Sequence, residues 1–149
     1  MSGERGVIER EIFIAAAPET VFGFLVDPVL MAEWFGISHT VEAHPDGVFR
    51  VEVSRGNVAR GVFTEVIPHR RVAFSWGWQS GDPSLTALSP GSSLVEIDLE
   101  PRNGGTLVRL RHSGLPDSLQ RIHSERWSHH LARLEEATVE AVAKRNTNL

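Results

Sequence analysis

Cysteine and tyrosine are both absent from the 149 residues. Without cysteine there is no disulfide, no thiolate nucleophile and no cysteine-ligated metal. Without tyrosine no phenol serves as acid, base or ligand anchor. No apolar run approaches the roughly 20 residues that cross a bilayer. The opening MSGERGVIER is polar and lacks the apolar core of a signal sequence. No GxGxxG or GxxxxGK cradles a phosphate, no HExxH holds zinc, and no GxSxG forms a nucleophile elbow. Neither sign of charge dominates: 15 Lys plus Arg face 19 Asp plus Glu, a formal net charge of -4. That balance gives no general attraction to nucleic acid or to an anionic membrane. The expectation is a cytoplasmic protein with no cofactor, no metal, no nucleic-acid partner and no membrane insertion.

The length suits one domain with a real core, spanning residues 1–149 with frayed ends at 1–6 and 145–149. Val7 to Ala16 reads as a strand with Ile8, Arg10, Ile12 and Ile14 on its inner face. Pro18, with Glu19 behind it, starts a short helix, and Pro28 to Phe35 forms a second. From His39 to Arg111 the apolar period is two. Turn signals stand at Pro45-Asp46-Gly47, Gly56-Asn57 and Asn103-Gly104-Gly105. The strand around residues 58–67 carries apolar residues on both faces, so its inward face is open. Gly61 within it suggests a bend or close packing against backbone. Val72, Phe74, Trp76 and Trp78 make the strongest one-sided strand pattern. A polar segment from Gln79 to Ser93 reads as a mobile loop placed to gate a cavity. Val95, Ile97 and Leu99, then Val108, Leu110 and His112, give two more inner faces. Beyond Pro116 the period lengthens, and Ile122, Trp127, Leu131, Leu134, Ala137 and Val142 line one face of a long helix capped by Asp117 or Ser118. The order predicts an α+β fold, with six or seven antiparallel strands covered by the C-terminal helix.

Several segments resemble one known group in order along the chain. They are Ile12–Phe22, Asp27-Pro28 with Ala32-Glu33-Trp34-Phe35, Gly61–Pro68 with Arg71–Trp76, Arg111-His-Ser-Gly-Leu-Pro116, and Trp127 with Leu131. The chain resembles the START-like, helix-grip domains, also called the Bet v 1-like or SRPBCC group. Within it the nearer likeness is to the Aha1-like family, related to the C-terminal domain of the activator of Hsp90 ATPase. The resemblance implies a strongly curved sheet wrapped around the long helix, with two short helices after the first strand. Its members include ligand carriers, cyclases, hydrolase-like enzymes and stress proteins, so it implies fold more than function. Arg126-Trp127-Ser128-His129-His130 departs from the Gly-Trp and following aromatic common in the family.

The aromatic residues have two readings. Trp34, Phe49, Phe63, Phe74, Trp76, Trp78 and Trp127 either fill a core or line an apolar pocket between sheet and helix, with His112 among the ligand-binding candidates. A buried indole N–H needs a hydrogen-bond acceptor, which a ligand can supply. Glu65 and His112 form the simplest acid–base hypothesis if both face inward. Arg60, Arg109 and Arg111 suggest anion binding, but cross-strand pairing of Arg109 and Arg111 with Glu96, Asp98 and Glu100 explains those two more simply, and Arg60 reads as an outer-face residue. His123, His129 and His130 lack the spacing of a metal site.

Three function classes follow. The first is a binding protein for a small apolar, aromatic or lipid-like ligand. The second is a cyclase-, dehydratase- or hydrolase-type enzyme using the same cavity. The third is a protein-interaction module, either a homodimer or a partner of an Hsp90-type chaperone.

Overall fold

The computed structural model describes residues 6–147. The chain runs β1 (Ile8–Ile14), α1 (Pro18–Val26), α2 (Pro28–Met31), β2 (Ser38–Val41), β3 (Val48–Ser54), β4 (Asn57–Ile67), β5 (Arg71–Trp76), β6 (Trp78–Ser80), α3 (Pro83–Thr86), β7 (Ser93–Arg102), β8 (Gly105–Ser113) and α4 (Asp117–Thr147). The strands form one antiparallel sheet in the order β1-β8-β7-β5-β4-β3-β2, with β6 paired to β4 beside that path. The long helix covers the apolar face, so the fold is the helix-grip arrangement. Three-residue β6 raises the strand count to eight, above the six or seven expected.

Local sequence explains most element ends. Pro18 occupies the first turn of α1 with Glu19 beside it. The Asp27 carboxylate accepts the Val29 N–H at 2.9 Å and caps α2. That helix ends at Met31, four residues short of the expected Phe35, and Trp34 and Phe35 sit in the following turn. At the far end α4 is helical through Thr147; residues 1–5 and 148–149, within the ends expected to fray, lie outside the described residues.

The ambiguous strand has a physical explanation. Phe63 pairs with Phe74, whereas Glu65 pairs with Ala73, so one extra residue of β4 is inserted at Thr64. This β-bulge changes which alternate positions face inward. Ala59 and Phe63 face the interior before it, and Val66 after it. Neither face is apolar throughout because the strand changes face midway. At Gly61 a Cβ would lie 1.8 Å from the Ser75 carbonyl oxygen, which makes glycine obligatory where β4 bends against β5.

The segment after Trp76 is more structured than the loop expected. At Gly77 a Cβ would lie 1.7 Å from the Ser89 carbonyl oxygen, so the returning chain packs directly on this backbone. Asp82 caps α3 by accepting the Ser84 N–H at 3.0 Å, and Leu85 and Leu88 are buried.

On α4 the buried positions are Leu119, His123, Trp127, Leu131, Leu134 and Thr138, at spacings of four, four, four, three and four. Ile122, expected on this stripe, is 40% exposed at its margin. His123 holds the inward place instead. Among the described residues no helix is long and apolar enough to cross a membrane.

Candidate functional site

Four elements converge where β5 ends and the first half of α4 crosses the sheet. β5 contributes Trp76 and β6 contributes Trp78. These indoles are 5.2 Å apart, edge to face. The helix contributes His123 and Trp127, and β8 contributes His112. Phe35 stacks toward Trp76 at 6.1 Å and toward Trp127 at 5.9 Å.

The indole N–H groups define the polar wiring. An indole nitrogen only donates, so each acceptor it meets must offer a lone pair. Trp34 donates to the Phe24 carbonyl at 2.8 Å. Trp127 donates to His112 Nδ1 at 3.0 Å. His112 therefore carries its proton on Nε2 and donates to Ser93 Oγ at 2.8 Å. The Ser93 hydroxyl in turn donates a hydrogen bond to the Trp76 carbonyl at 2.8 Å. Trp78 donates to His123 Nε2 at 3.0 Å, and His123 Nδ1–H then donates to the Leu119 carbonyl at 2.8 Å. Trp76 Nε1 alone is left: it is buried with no hydrogen-bond partner.

Both histidines are held neutral by this pattern. Burial, followed by neighbouring His123, pushes His112 down to about 3 from its ordinary 6.5. Burial also lowers His123, against the opposing pull of the Leu119 carbonyl. Each ring has both nitrogens engaged, so neither offers a free lone pair or an acidic proton to a substrate.

The expected Glu65–His112 pair does not form. Beyond the bulge Glu65 turns to the outer face, where it accepts from Arg71 Nε at 2.6 Å. Arg71 also binds Glu96 at 2.6 Å and Asp98 at 2.9 Å. Arg109 bridges Glu11 and Glu100, Arg111 reaches Glu9 and Glu96, and Arg60 donates to Gln79. The outer arginines are thus occupied by cross-strand partners.

A cavity of about 60 Å³ opens beside the indoles. Of the eight expected ligand-contacting residues, Trp76, Trp78 and Trp127 line it. Trp34, Phe49 and Phe74 border a void of only about 10 Å³, and Trp34 also lines a groove of about 230 Å³ beside the cavity. Phe49 stacks on Phe74 at 4.0 Å, and Phe63 packs edge-on against both, which is core packing. His112 lies behind Trp127 rather than on the cavity wall.

The remaining wall comes from residues that the sequence did not assign to a ligand pocket: Val53, Ser54, Asn57, Leu85, Ile122, His123, Arg126 and His130. For His123 a signal existed, since it lies four residues from both Leu119 and Trp127. Leu85 gave none, because its burial depends on α3 folding back over β6. The groove of about 230 Å³ shares Val53, Arg126 and His130 with the cavity. His130 stands between them, edge-on to Phe35 at 4.7 Å. Burial, then His129, Arg126 and Arg133, push it down to about 4.

Residues 15–138 match the family described as activator of Hsp90 ATPase homolog 1-like protein. The chain belongs to that family. An AHSA1-like protein from Rhizobium etli shares 45% identity over 89% of this chain and 81% of its own, with a TM-score of 0.69. Protein MLL2253 from Mesorhizobium loti superposes with a TM-score of 0.78 at 22% identity, over 90% of this chain and 97% of its own. DynU16, a putative protein in the dynemicin biosynthetic locus, superposes with a TM-score of 0.74 at 20% identity. That match covers 87% of this chain and 46% of DynU16. At such identities the last two show a shared fold alone. No curated protein matches the chain.

Proposed function

We propose that this AHSA1-family chain binds a small molecule between the end of β5 and the first half of α4. The observation that carries the reading is the Trp76 N–H. Three of the four indoles have acceptors and the fourth, on the cavity wall, has none. A buried donor left unmet costs about 1–3 kcal/mol. A ligand with an acceptor oxygen at that place removes the cost and gains aromatic contact with three indoles. The biosynthetic-locus setting of DynU16 is in keeping with a fold that handles small organic molecules.

Size limits the ligand. Cavities of roughly 150 Å³ admit benzene and drug-sized pockets reach roughly 300–1,000 Å³. At about 60 Å³ the cavity described here is smaller than a benzene site, so this reading requires its walls to move. Its yielding walls are Leu85, on the four-residue α3, and Ile122, which is 40% exposed. In this reading these two residues move to widen the cavity, whose wall at His130 is shared with the groove. A lipid-sized ligand is too large, and one aromatic ring suits the space gained.

The catalytic alternative has less support, because His112 and His123 have both ring nitrogens engaged and Glu65 lies on the other face. Binding is tested with a panel of neutral and charged monocyclic aromatics, read on the four indole ¹H–¹⁵N signals. Fragments carrying an oxygen acceptor should shift the Trp76 signal, assigned by its loss in Trp76→Phe, and should bind that variant more weakly. If no fragment moves that signal, the reading is wrong and Trp76 is a core residue.

A further inference from the structure

Building on that reading, we propose that the ligand is an anion: a monocyclic aromatic carboxylate with its ring among Trp76, Trp78 and Trp127 and its carboxylate on Arg126. The chain as a whole is acidic, with 19 Asp plus Glu and a net charge of -4. Yet the linings of the cavity and the groove contain Arg126, Arg133, His129 and His130 and not one carboxylate. Arg126 belongs to both linings. Its guanidinium has no ion pair or hydrogen bond among the described residues. The arginines of the outer sheet face contrast with it, since Arg71, Arg109 and Arg111 are each held by at least two carboxylates. Arg133 differs again, donating to the Glu33 carbonyl at 3.2 Å.

The positive field around this wall also reaches His130. After burial, the causes that hold it neutral are His129, Arg126 and Arg133. A neutral ligand would gain nothing from that field, and a cation would be repelled. A carboxylate meets a planar guanidinium with matched, two-point geometry. Inside the cavity the histidines are fixed neutral, so charge recognition falls to the mouth and the ring environment lies deeper. The unpartnered Trp76 N–H adds a second polar point. The acid therefore carries an oxygen substituent on its ring, as a hydroxy- or oxo-substituted benzoic acid does.

The probes are 4-hydroxybenzoate and its neutral counterpart 4-hydroxybenzamide, titrated by calorimetry and tryptophan fluorescence at low and high salt. The acid should bind at least about tenfold more tightly than the amide, and the preference should shrink as salt screens the charge. Arg126→Gln should abolish the preference, lowering the affinity for the acid far more than that for the amide. Arg126 is exposed, so the variant should keep its melting temperature. Equal affinity for acid and amide would overturn the anionic class and leave the small-molecule reading standing. Preference for the acid that survives Arg126→Gln would overturn Arg126 as its partner. Binding of neither probe would overturn the proposed ligand class, while the fragment panel read on Trp76 judges the broader reading separately.

Discussion

On the outer face of the sheet, Arg71, Arg109 and Arg111 lie among Glu9, Glu11, Glu65, Glu96, Asp98 and Glu100, with water on one side. On the inner face, His112, Ser93 and His123 lie buried among the indoles of Trp76, Trp78 and Trp127. Both faces carry polar atoms joined by hydrogen bonds, but the surroundings set what each bond contributes. Exposed ion pairs exchange one set of good partners for another, and water replaces a lost partner. A buried indole or imidazole has no such substitute, so its loss exposes the full desolvation cost of whatever remains. The outer face therefore tolerates change, while the inner face fixes tautomers and leaves one donor available.

The largest effect should come from Trp127, which joins packing to wiring. Trp127→Ala removes a buried indole and should cost about 3–5 kcal/mol in urea unfolding. Trp127→Phe keeps most of the ring but strands His112 Nδ1, and should cost about 1–3 kcal/mol. Equal stability of Trp127→Phe and the native protein would show that the buried bond is no stronger than an outer one.

Acid should separate the two faces next. His112 and His123 are depressed in the folded protein, so the unfolded chain binds protons first as pH falls through 6.5. Stability is therefore full above pH 6.5 and declines toward the folded value, by at most roughly 1.4 kcal/mol per pH unit for each histidine. Urea midpoints measured from pH 7 to pH 5 should fall before carboxylates titrate. His112→Gln should reduce that slope; an unchanged slope would remove His112 from the account.

The outer face should respond more weakly. Arg71 is 22% exposed and holds three carboxylates, so Arg71→Ala should cost about 1–2 kcal/mol through the repulsion it leaves. Arg109 is 52% exposed, and Arg109→Ala should cost less than about 1 kcal/mol. Thermal melts at low and high salt check both, and the Arg71 effect should diminish as salt rises. A cost for Arg109→Ala above that for Trp127→Phe would reverse the comparison between faces.

The smallest effect is the sharpest. Trp76→Phe deletes a donor that has no acceptor, so without ligand it should be neutral or slightly stabilising, where Trp127→Phe is costly. The same chemical change at two neighbouring indoles should thus have different outcomes. Comparable losses at both would mean that Trp76 has an acceptor in solution.

Much of this architecture is legible in the residues. Period-two runs at Val95–Leu99 and Val108–His112 place inward and outward side chains correctly, because a paired strand alternates its faces without exception unless a residue is inserted. Insertion at Thr64 is where that rule stops. The extra residue leaves no mark in composition, yet it sends Glu65 outward and removes it from any partnership with His112. Trp76 and Trp78 declare themselves as inward aromatics, but their N–H groups differ only because His123 arrives opposite one of them. That arrival is set by how α4 crosses the sheet, more than 40 residues later in the chain. Sequence alone thus determined the order of strands and helices, the inner aromatic face and the absence of thiol and phenol chemistry, since these depend on local periodicity and residue type. Tertiary structure decided which histidines are locked, which indole is free and which arginine faces a cavity, because hydrogen bonds and solvent exclusion depend on the distances that only packing brings about.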